Sequence, residues 1–210
     1  MGNRRAGKTL TAILVSAPEE IRGRLWHIKA EHCVANCAVL CQLGTTTHLV
    51  VLTATLRLLA KRWPMLKAEL KELDAELEQL TLKFAPNLRE QFGVGPLTAA
   101  TLIVAAGDNP ERLRSEAALA ALCGVSPLQA SSGKTSRHRL NRGGNRQANN
   151  ALWTIALGRM RSEPRTPAYV EKRTNEGLSN KEIHRCVSRY VARELYTHIL
   201  ADLKTAAHMC

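Results

Sequence analysis

The chain has 210 residues, with 30 Lys and Arg against 18 Asp and Glu, which gives a formal net charge of +12. A hydrophobic share of 45% is enough to bury a core, so the chain is not a disordered basic tail, and a polyanionic partner is the first expectation. Only 4% of the residues are aromatic, which argues against a single-strand binder that relies on rows of stacking rings. Duplex or structured nucleic acid fits this composition better.

Three cysteines, Cys33, Cys37 and Cys41, recur every fourth residue, and His32 stands beside the first. A structural zinc site usually needs a second pair of ligands downstream, which this spacing lacks. Cysteines at this interval lie along one helix face, so we expect small buried hydrophobic side chains. Six cysteines without a pairing pattern suit a reducing cytoplasm, and no stretch reaches the ~20 apolar residues of a membrane-spanning helix.

A heptad pattern begins at Leu52 and predicts a helical arm over residues 48–86. Apolar residues alternate in steps of four and three, at 52, 56, 59, 63, 66, 70, 73, 77, 80 and 84. Such a seam is typical of a dimerising coiled coil, but an intramolecular helix pair explains it equally well. Pro64 lies inside the pattern, so the arm either kinks there or divides into two helices.

The next motif is Gly93-Val94-Gly95-Pro96, followed by the apolar run from 97 to 106 and by Gly107. Two glycines permit a tight turn, proline suits the first position of a helix, and Gly107 is a good helix stop. This layout is similar to a helix-hairpin-helix, which directs backbone N–H groups at DNA phosphates without base recognition. We therefore expect Gly93, Gly95 and Thr98 at a nucleic-acid interface, with a plain helix connection as the alternative.

Basic residues then accumulate in a stretch without acids. No Asp or Glu occurs between Glu116 and Glu163, and residues 130–150 read ASSGKTSRHRLNRGGNRQANN. This pattern predicts phosphate contacts by Lys134, Arg137, His138, Arg139, Arg142 and Arg146.

Helices are also expected in the C-terminal part. Ser179 and Glu182 have the spacing of a capping box. The helix that follows places its apolar face on Ile183, Cys186, Val187, Tyr190, Val191 and Leu195, with Lys181, Arg185, Ser188 and Arg189 largely opposite. Strand-type alternation is nearly absent, so the fold class predicted from the sequence is all-α.

The order of these parts resembles the C-terminal portion of the bridge-RNA-guided insertion-sequence transposases, the IS one-ten, IS one-sixteen and IS nine-oh-two group. The resemblance rests on the leucine-rich arm, on GVGPLTAATLIVAAGDNPERLRSEAALAALCGVSP, on the basic segment and on RTPAYVEKRTNEGLSNKEIHRCVSRYVAREL. It implies a transposase that binds duplex DNA and a structured guide RNA, forms homo-oligomers through the arm and works at the bacterial nucleoid.

The family's serine nucleophile has a Pro-x-x-x-x-Ser-Gly context, which falls here on Pro127, Ser132 and Gly133. The resemblance thus implies that Ser132 is catalytic, with Ser131 as the runner-up. An alcohol needs activation to attack a phosphodiester, and nearby cations would stabilise the charge that develops on phosphorus.

The resemblance also implies an N-terminal nuclease domain of RuvC type, in which four acidic residues bind Mg²⁺. We expect this chain to begin after that domain, so no metal ligand and no cofactor is assigned to it. The expected organisation is a helical connector over 1–47, the arm over 48–86, the hairpin with the serine domain over 87–205, and a tail over 206–210. The alternative to a partner-dependent recombinase is a nonenzymatic DNA-binding protein that inhibits an intact transposase through mixed dimers.

Overall fold

A computed structural model describes residues 2–107, 111, 113–129, 138–139, 141 and 143–207. The all-α prediction is confirmed: the regular secondary structure of the described residues is helical apart from one two-stranded antiparallel ladder. The chain divides into two compact units, Met1–Ala75 and Glu76–Cys210. Among the described helices, none has the length and apolar character needed to cross a membrane.

The first unit contains α1 (Gly2–Ser16), α2 (Glu19–Leu25), α3 (Ala30–Ala38) and the start of α4 (Thr47–Phe84). Its core joins the apolar faces of these helices, including Leu10, Leu14, Ile21, Val34 and Leu56. These faces form because apolar residues recur at three- and four-residue intervals along each helix.

The cysteine prediction holds for two of the three residues. Cys33 and Cys37 lie on α3, are fully buried and belong to the core. Burial raises the pKa of the Cys37 thiol to about 11, as the neighbouring Cys33 also does to a smaller degree. The prediction is wrong for Cys41, which is exposed because α3 ends at Ala38, before the third position of the pattern is reached.

Helix α4 runs from Thr47 to Phe84 without interruption, with Pro64 inside it. The division into two helices at Pro64 is therefore wrong. Early heptad positions pack inside the first unit, where Leu56 is buried and Trp63 is partly buried against the core. Later positions are open, since Leu73 and Leu80 expose 60% and 53% of their surface.

The second unit contains the remaining elements: α5 (Pro86–Arg89), α6 (Pro96–Ala106), α7 (Glu116–Leu122), β1 (Leu128–Gln129), β2 (His138–Arg139), α8 (Arg146–Ser162), α9 (Thr166–Asn175) and α10 (Asn180–Ala207). Helices α8 and α10 pack against each other; α8 also packs on α6 and α9, while α10 packs on α5 and α7. Leu102, Leu119, Leu152, Ile155 and Leu195 fill the core.

A buried carboxylate links the start of the hairpin region to α10. Asp202 is fully buried and accepts the backbone N–H groups of Asn87 and Leu88 at 3.0 Å, and the Asn87 side-chain amide at 2.8 Å. These contacts satisfy the orphan donors at the start of α5 and compensate the buried charge. Helix α5 has only four residues, so its position depends on this side chain.

One helix start follows the sequence prediction, and one helix face does not. Ser179 and Glu182 bond reciprocally as a capping box, and Ser115 caps α7 through the N–H of Ala118. On α10, however, Ser188 is buried and Tyr190 is 56% exposed, the reverse of the predicted faces. Ser188 tolerates burial because its hydroxyl donates to the His184 carbonyl at 2.9 Å.

Candidate nucleic-acid interface

The turn between α5 and α6 depends on Gly93. Its φ is +80°, a region that side chains other than glycine rarely adopt, and a Cβ here would lie 3.4 Å from the carbonyl oxygen of Ile155. Val94, the next residue, is buried in the core of the second unit. The turn therefore packs closely against helix α8 at Gly93, and the buried side chain of Val94 fixes its position.

Arg159, a residue of α8, is hydrogen-bonded to the same turn. It is only 3% exposed, and its Nε donates to the carbonyl oxygen of Phe92 at 3.0 Å. The two terminal nitrogens donate to the carboxylate of Glu194 at 2.7 and 3.1 Å. This fork geometry is the strongest that Arg and a carboxylate make, and it connects the turn, α8 and α10 through one side chain.

The start of α6 is arranged differently from the turn that precedes it. Thr98, a predicted interface residue, uses its hydroxyl to accept the Gly95 N–H at 2.9 Å, so it caps the helix. Pro96 contributes no N–H, which leaves those of Leu97 and Thr98 without an intrahelical acceptor. Gly95 faces open space, since no atom lies within 4 Å of a Cβ built there. A side chain added at this position would therefore meet no neighbouring atom.

Most of the predicted basic and catalytic side chains lie outside the described residues. This is true of Ser131, Ser132, Lys134, Arg137 and Arg142. The backbone of His138 and Arg139 forms β2, where Arg139 is opposite Leu128 and His138 is opposite Gln129. Arg146 is exposed in the first turn of α8. The structure therefore fixes the base of this segment and leaves its predicted chemistry untested.

The C-terminal end of the basic segment is attached to the end of α7. The Asn145 N–H donates to the Leu122 carbonyl at 2.7 Å, and the Asn149 side-chain amide donates to the Cys123 carbonyl at 2.9 Å. Two glycines make this approach possible. Gly124 has φ +66°, and a Cβ on Gly144 would lie 2.2 Å from the Gly124 nitrogen.

A pocket of about 520 Å³ lies beside this junction. Pro127, just before β1, and Asn141, just after β2, both line this pocket. The two strands that flank part of the basic segment are therefore adjacent to the pocket. The remaining lining comes largely from α8, α9 and α10, and its most conspicuous side chains are aromatic or cationic: Trp153, Tyr169, Tyr190, Arg173, Arg185 and Arg189.

His184 lies at the inner side of this pocket, behind Trp153. The two rings are 5.1 Å apart between centroids and are inclined at 33°. The Nε2 atom of His184 is 3.1 Å from the Trp153 carbonyl, which can only accept, so this nitrogen carries the proton. Burial lowers the pKa of His184, against an opposing effect of that same hydrogen bond, and favours the neutral ring.

Sequence reasoning did not find this pocket. Its residues come from positions between 124 and 190, and no short motif contains them. The only available signal was the cluster of Lys181, Arg185 and Arg189 on one helix, which by itself is typical of a solvated face. The described residues contain no group of three His, Cys, Asp or Glu side chains that could hold a metal ion.

Comparison with known proteins identifies the region that contains the hairpin and the basic segment. A family profile described as the transposase IS116/IS110/IS902 family matches residues 85–171. A protein of Streptomyces coelicolor, described as the uncharacterized 43.6 kDa protein of insertion element IS110, is 34% identical over 113 residues. That alignment covers 53% of this chain and 27% of the relative's length.

The two glycines of the turn are predicted to respond differently to the same substitution. Gly93→Ala should destabilise the second unit by about 1–2 kcal/mol, because alanine must adopt a positive φ against α8. Gly95→Ala, with an ordinary φ of −91° and open space around it, should cost less than about 1 kcal/mol. Urea unfolding followed by circular dichroism measures both. Equal losses would show that the turn does not require the conformation seen at Gly93.

Proposed function

A profile of the IS116/IS110/IS902 transposase family matches residues 85–171, and we propose that the chain belongs to this family and takes part in DNA transposition by binding duplex DNA through phosphate contacts. The observation that supports this most directly is the open space around Gly95, at the start of α6 and on a turn fixed by buried side chains. The net charge of +12 supplies the long-range attraction.

The proposed interface combines this turn with the basic segment. The N–H groups at the start of α6 carry the positive end of the helix dipole and suit a phosphate oxygen. Arg146 is exposed in the same unit, and the predicted contributions of Lys134, Arg137, His138, Arg139 and Arg142 would extend the cationic surface. Contacts of this kind position a duplex without selecting its sequence. A structured guide RNA is the second polyanionic partner in this proposal, which would place the protein at the nucleoid.

Within this function, we assign the nucleophile to Ser132. Its hydroxyl oxygen would attack a DNA phosphorus, the bond from phosphorus to a sugar oxygen would break, and that oxygen would leave as a hydroxyl. The resulting phosphoserine ester conserves the bond energy until a hydroxyl of another strand attacks the same phosphorus and releases the serine. The neighbouring guanidinium groups would stabilise the charge of each transition state.

The full reaction in this proposal also needs the acidic nuclease domain of RuvC type that the resemblance implies. The described residues offer no cluster suited to a metal ion, so no Mg²⁺-dependent step is assigned to them. The aligned stretch spans about a quarter of the Streptomyces relative, and the activity of a whole transposase is therefore proposed only in combination with such a domain.

The serine assignment predicts that Ser132→Ala abolishes a covalent protein–DNA adduct while duplex affinity stays within about twofold, because alanine removes one oxygen and no charge. Radiolabelled DNA, a longer family member that carries the acidic domain, and a denaturing gel provide the measurement. Ser131→Ala is the matched control and should keep the adduct.

An equal adduct yield from Ser132→Ala would place the nucleophile elsewhere. A wild-type chain that binds DNA but forms no adduct would be a nonenzymatic DNA-binding protein. In that case the alternative function, inhibition of an intact transposase through mixed dimers, would replace the recombinase.

We also propose that the exposed later positions of α4 associate with a second copy of the chain. Leu73 and Leu80 occupy equivalent heptad positions, and both expose more than half of their surface. Two such helices would bury these leucines against each other, as coiled coils do. The early positions are already covered by the core of the first unit, so they contribute little to this association.

Replacing Leu73 and Leu80 together with Ser should convert a dimer into a monomer in sedimentation velocity experiments, since both side chains lose their apolar contacts. Leu58→Ser is the control, because Leu58 is 68% exposed on the same helix but lies outside the heptad seam. A wild-type chain that sediments as a monomer at all concentrations would contradict this proposal.

A further inference from the structure

The pocket beside the basic segment has two chemically different walls. Its aromatic wall consists of Trp153, Tyr169 and Tyr190 and its cationic wall of Arg173, Arg185 and Arg189, and the two interleave around a volume of about 520 Å³. Tyr169 and Tyr190 meet edge to face at 5.7 Å, and Arg173 lies 5.8 Å from the Tyr169 ring centroid. A volume of this size is in the usual range for pockets that enclose a small ligand.

The cationic wall has donors that no protein group satisfies. Within the described part of the chain, Arg189 Nη1 and Arg173 Nε are buried and have no hydrogen-bond partner. A guanidinium nitrogen without an acceptor is unfavourable, and Arg173 already pairs with Glu176 through Nη1, so Arg189 is the guanidinium that an anionic ligand would satisfy after a change of rotamer. Phosphate oxygens match the fork geometry of arginine especially well.

In the aromatic wall, the Trp153 ring packs against His184 and is also partly exposed to solvent. Trp153 is 48% exposed, although His184 packs behind it and bonds to its carbonyl oxygen. Neutral His184 can contact the indole without adding a charge to be desolvated. An exposed, rigidly supported indole face is suited to stacking with another flat ring.

We propose that this pocket takes one unpaired nucleotide of a DNA strand, with its base stacked on Trp153 and its phosphate bound by Arg185 and Arg189. The inference rests on the proposed function and goes beyond it, because phosphate contacts to a duplex do not need a pocket. A simple anion would leave the aromatic wall uncovered, and a base inside a duplex cannot reach an enclosed site until it leaves the stack. An extrahelical nucleotide satisfies both walls at once.

The test uses the full chain and two otherwise identical duplexes, one fully paired and one with a single bulged 2-aminopurine. The chain should bind the bulged duplex about tenfold more tightly than the paired one, with quenching of 2-aminopurine fluorescence on stacking. Trp153→Ala should remove this preference and the quenching but leave affinity for the paired duplex within about twofold. Trp26→Ala is the matched control, since Trp26 is similarly exposed, at 45%, in the first unit.

Arg189→Gln and its control Arg193→Gln test the pocket independently of whether Trp153→Ala folds. Arg189→Gln should weaken binding of the bulged duplex about tenfold. Arg193→Gln, on the same helix but paired with Glu116 outside the pocket, should not. Free deoxyadenosine monophosphate should compete weakly with the bulge and not with the paired duplex.

The outcomes separate the pocket from the proposed function. Equal affinity for the two duplexes, or equal behaviour of the Trp153 and Trp26 variants, overturns the pocket assignment while duplex binding stands. Tighter binding of the free mononucleotide than of the bulged duplex overturns the assignment to a DNA strand. Failure to bind any DNA overturns both proposals.

Discussion

Buried Arg159 is the constraint on which the second unit depends. A single guanidinium bonds to the turn at Phe92 and to Glu194 of α10, and it does so from α8. The Arg159 side chain is 4% exposed and that of Glu194 is 49% exposed, so removing Glu194 would leave a buried guanidinium without its carboxylate partner. The turn that carries Gly95 is thus defined by the helices behind it rather than by its own short sequence. The position of the start of α6 follows from this arrangement.

Asp202 acts in the same way at the other end of the hairpin region. It binds two backbone N–H groups at the start of α5 from a position 115 residues later in the chain. Arg159 and Asp202 are therefore two buried charged side chains whose hydrogen-bond partners lie far away in the sequence. Their effect is to present a rigid backbone surface to solvent, which is the requirement for a phosphate site whose donors are already oriented.

Local patterns in the sequence predicted the elements well where the pattern itself determines the structure. The proline at the start of α6 and the Ser179 capping box are each fixed by residues within four positions of each other. The long arm was found because its heptad spacing is regular. The spacing could not show which half is covered, since that depends on the core of the first unit.

The pocket shows what local patterns cannot supply. Trp153 and His184 are in contact although they are 31 positions apart in the chain. On α10, Ser188 is buried and Tyr190 is exposed, the opposite of what periodicity predicts, because other helices determine which side of α10 is covered. Periodicity gives the direction of a side chain relative to its own helix, but not the identity of the neighbour that covers it. The sequence therefore identified the phosphate-binding candidates and missed the pocket lined by Trp153, Arg185 and Arg189.

The central claim is that this unit binds duplex DNA through phosphates, and the salt dependence of its affinity tests that claim most directly. With about four phosphate contacts, the logarithm of the association constant should fall with the logarithm of salt concentration at a slope of about −3.6. Replacing Arg137 and Arg139 with Gln should make that slope shallower by about two, for every DNA sequence tested. An affinity that does not change with salt would contradict the account.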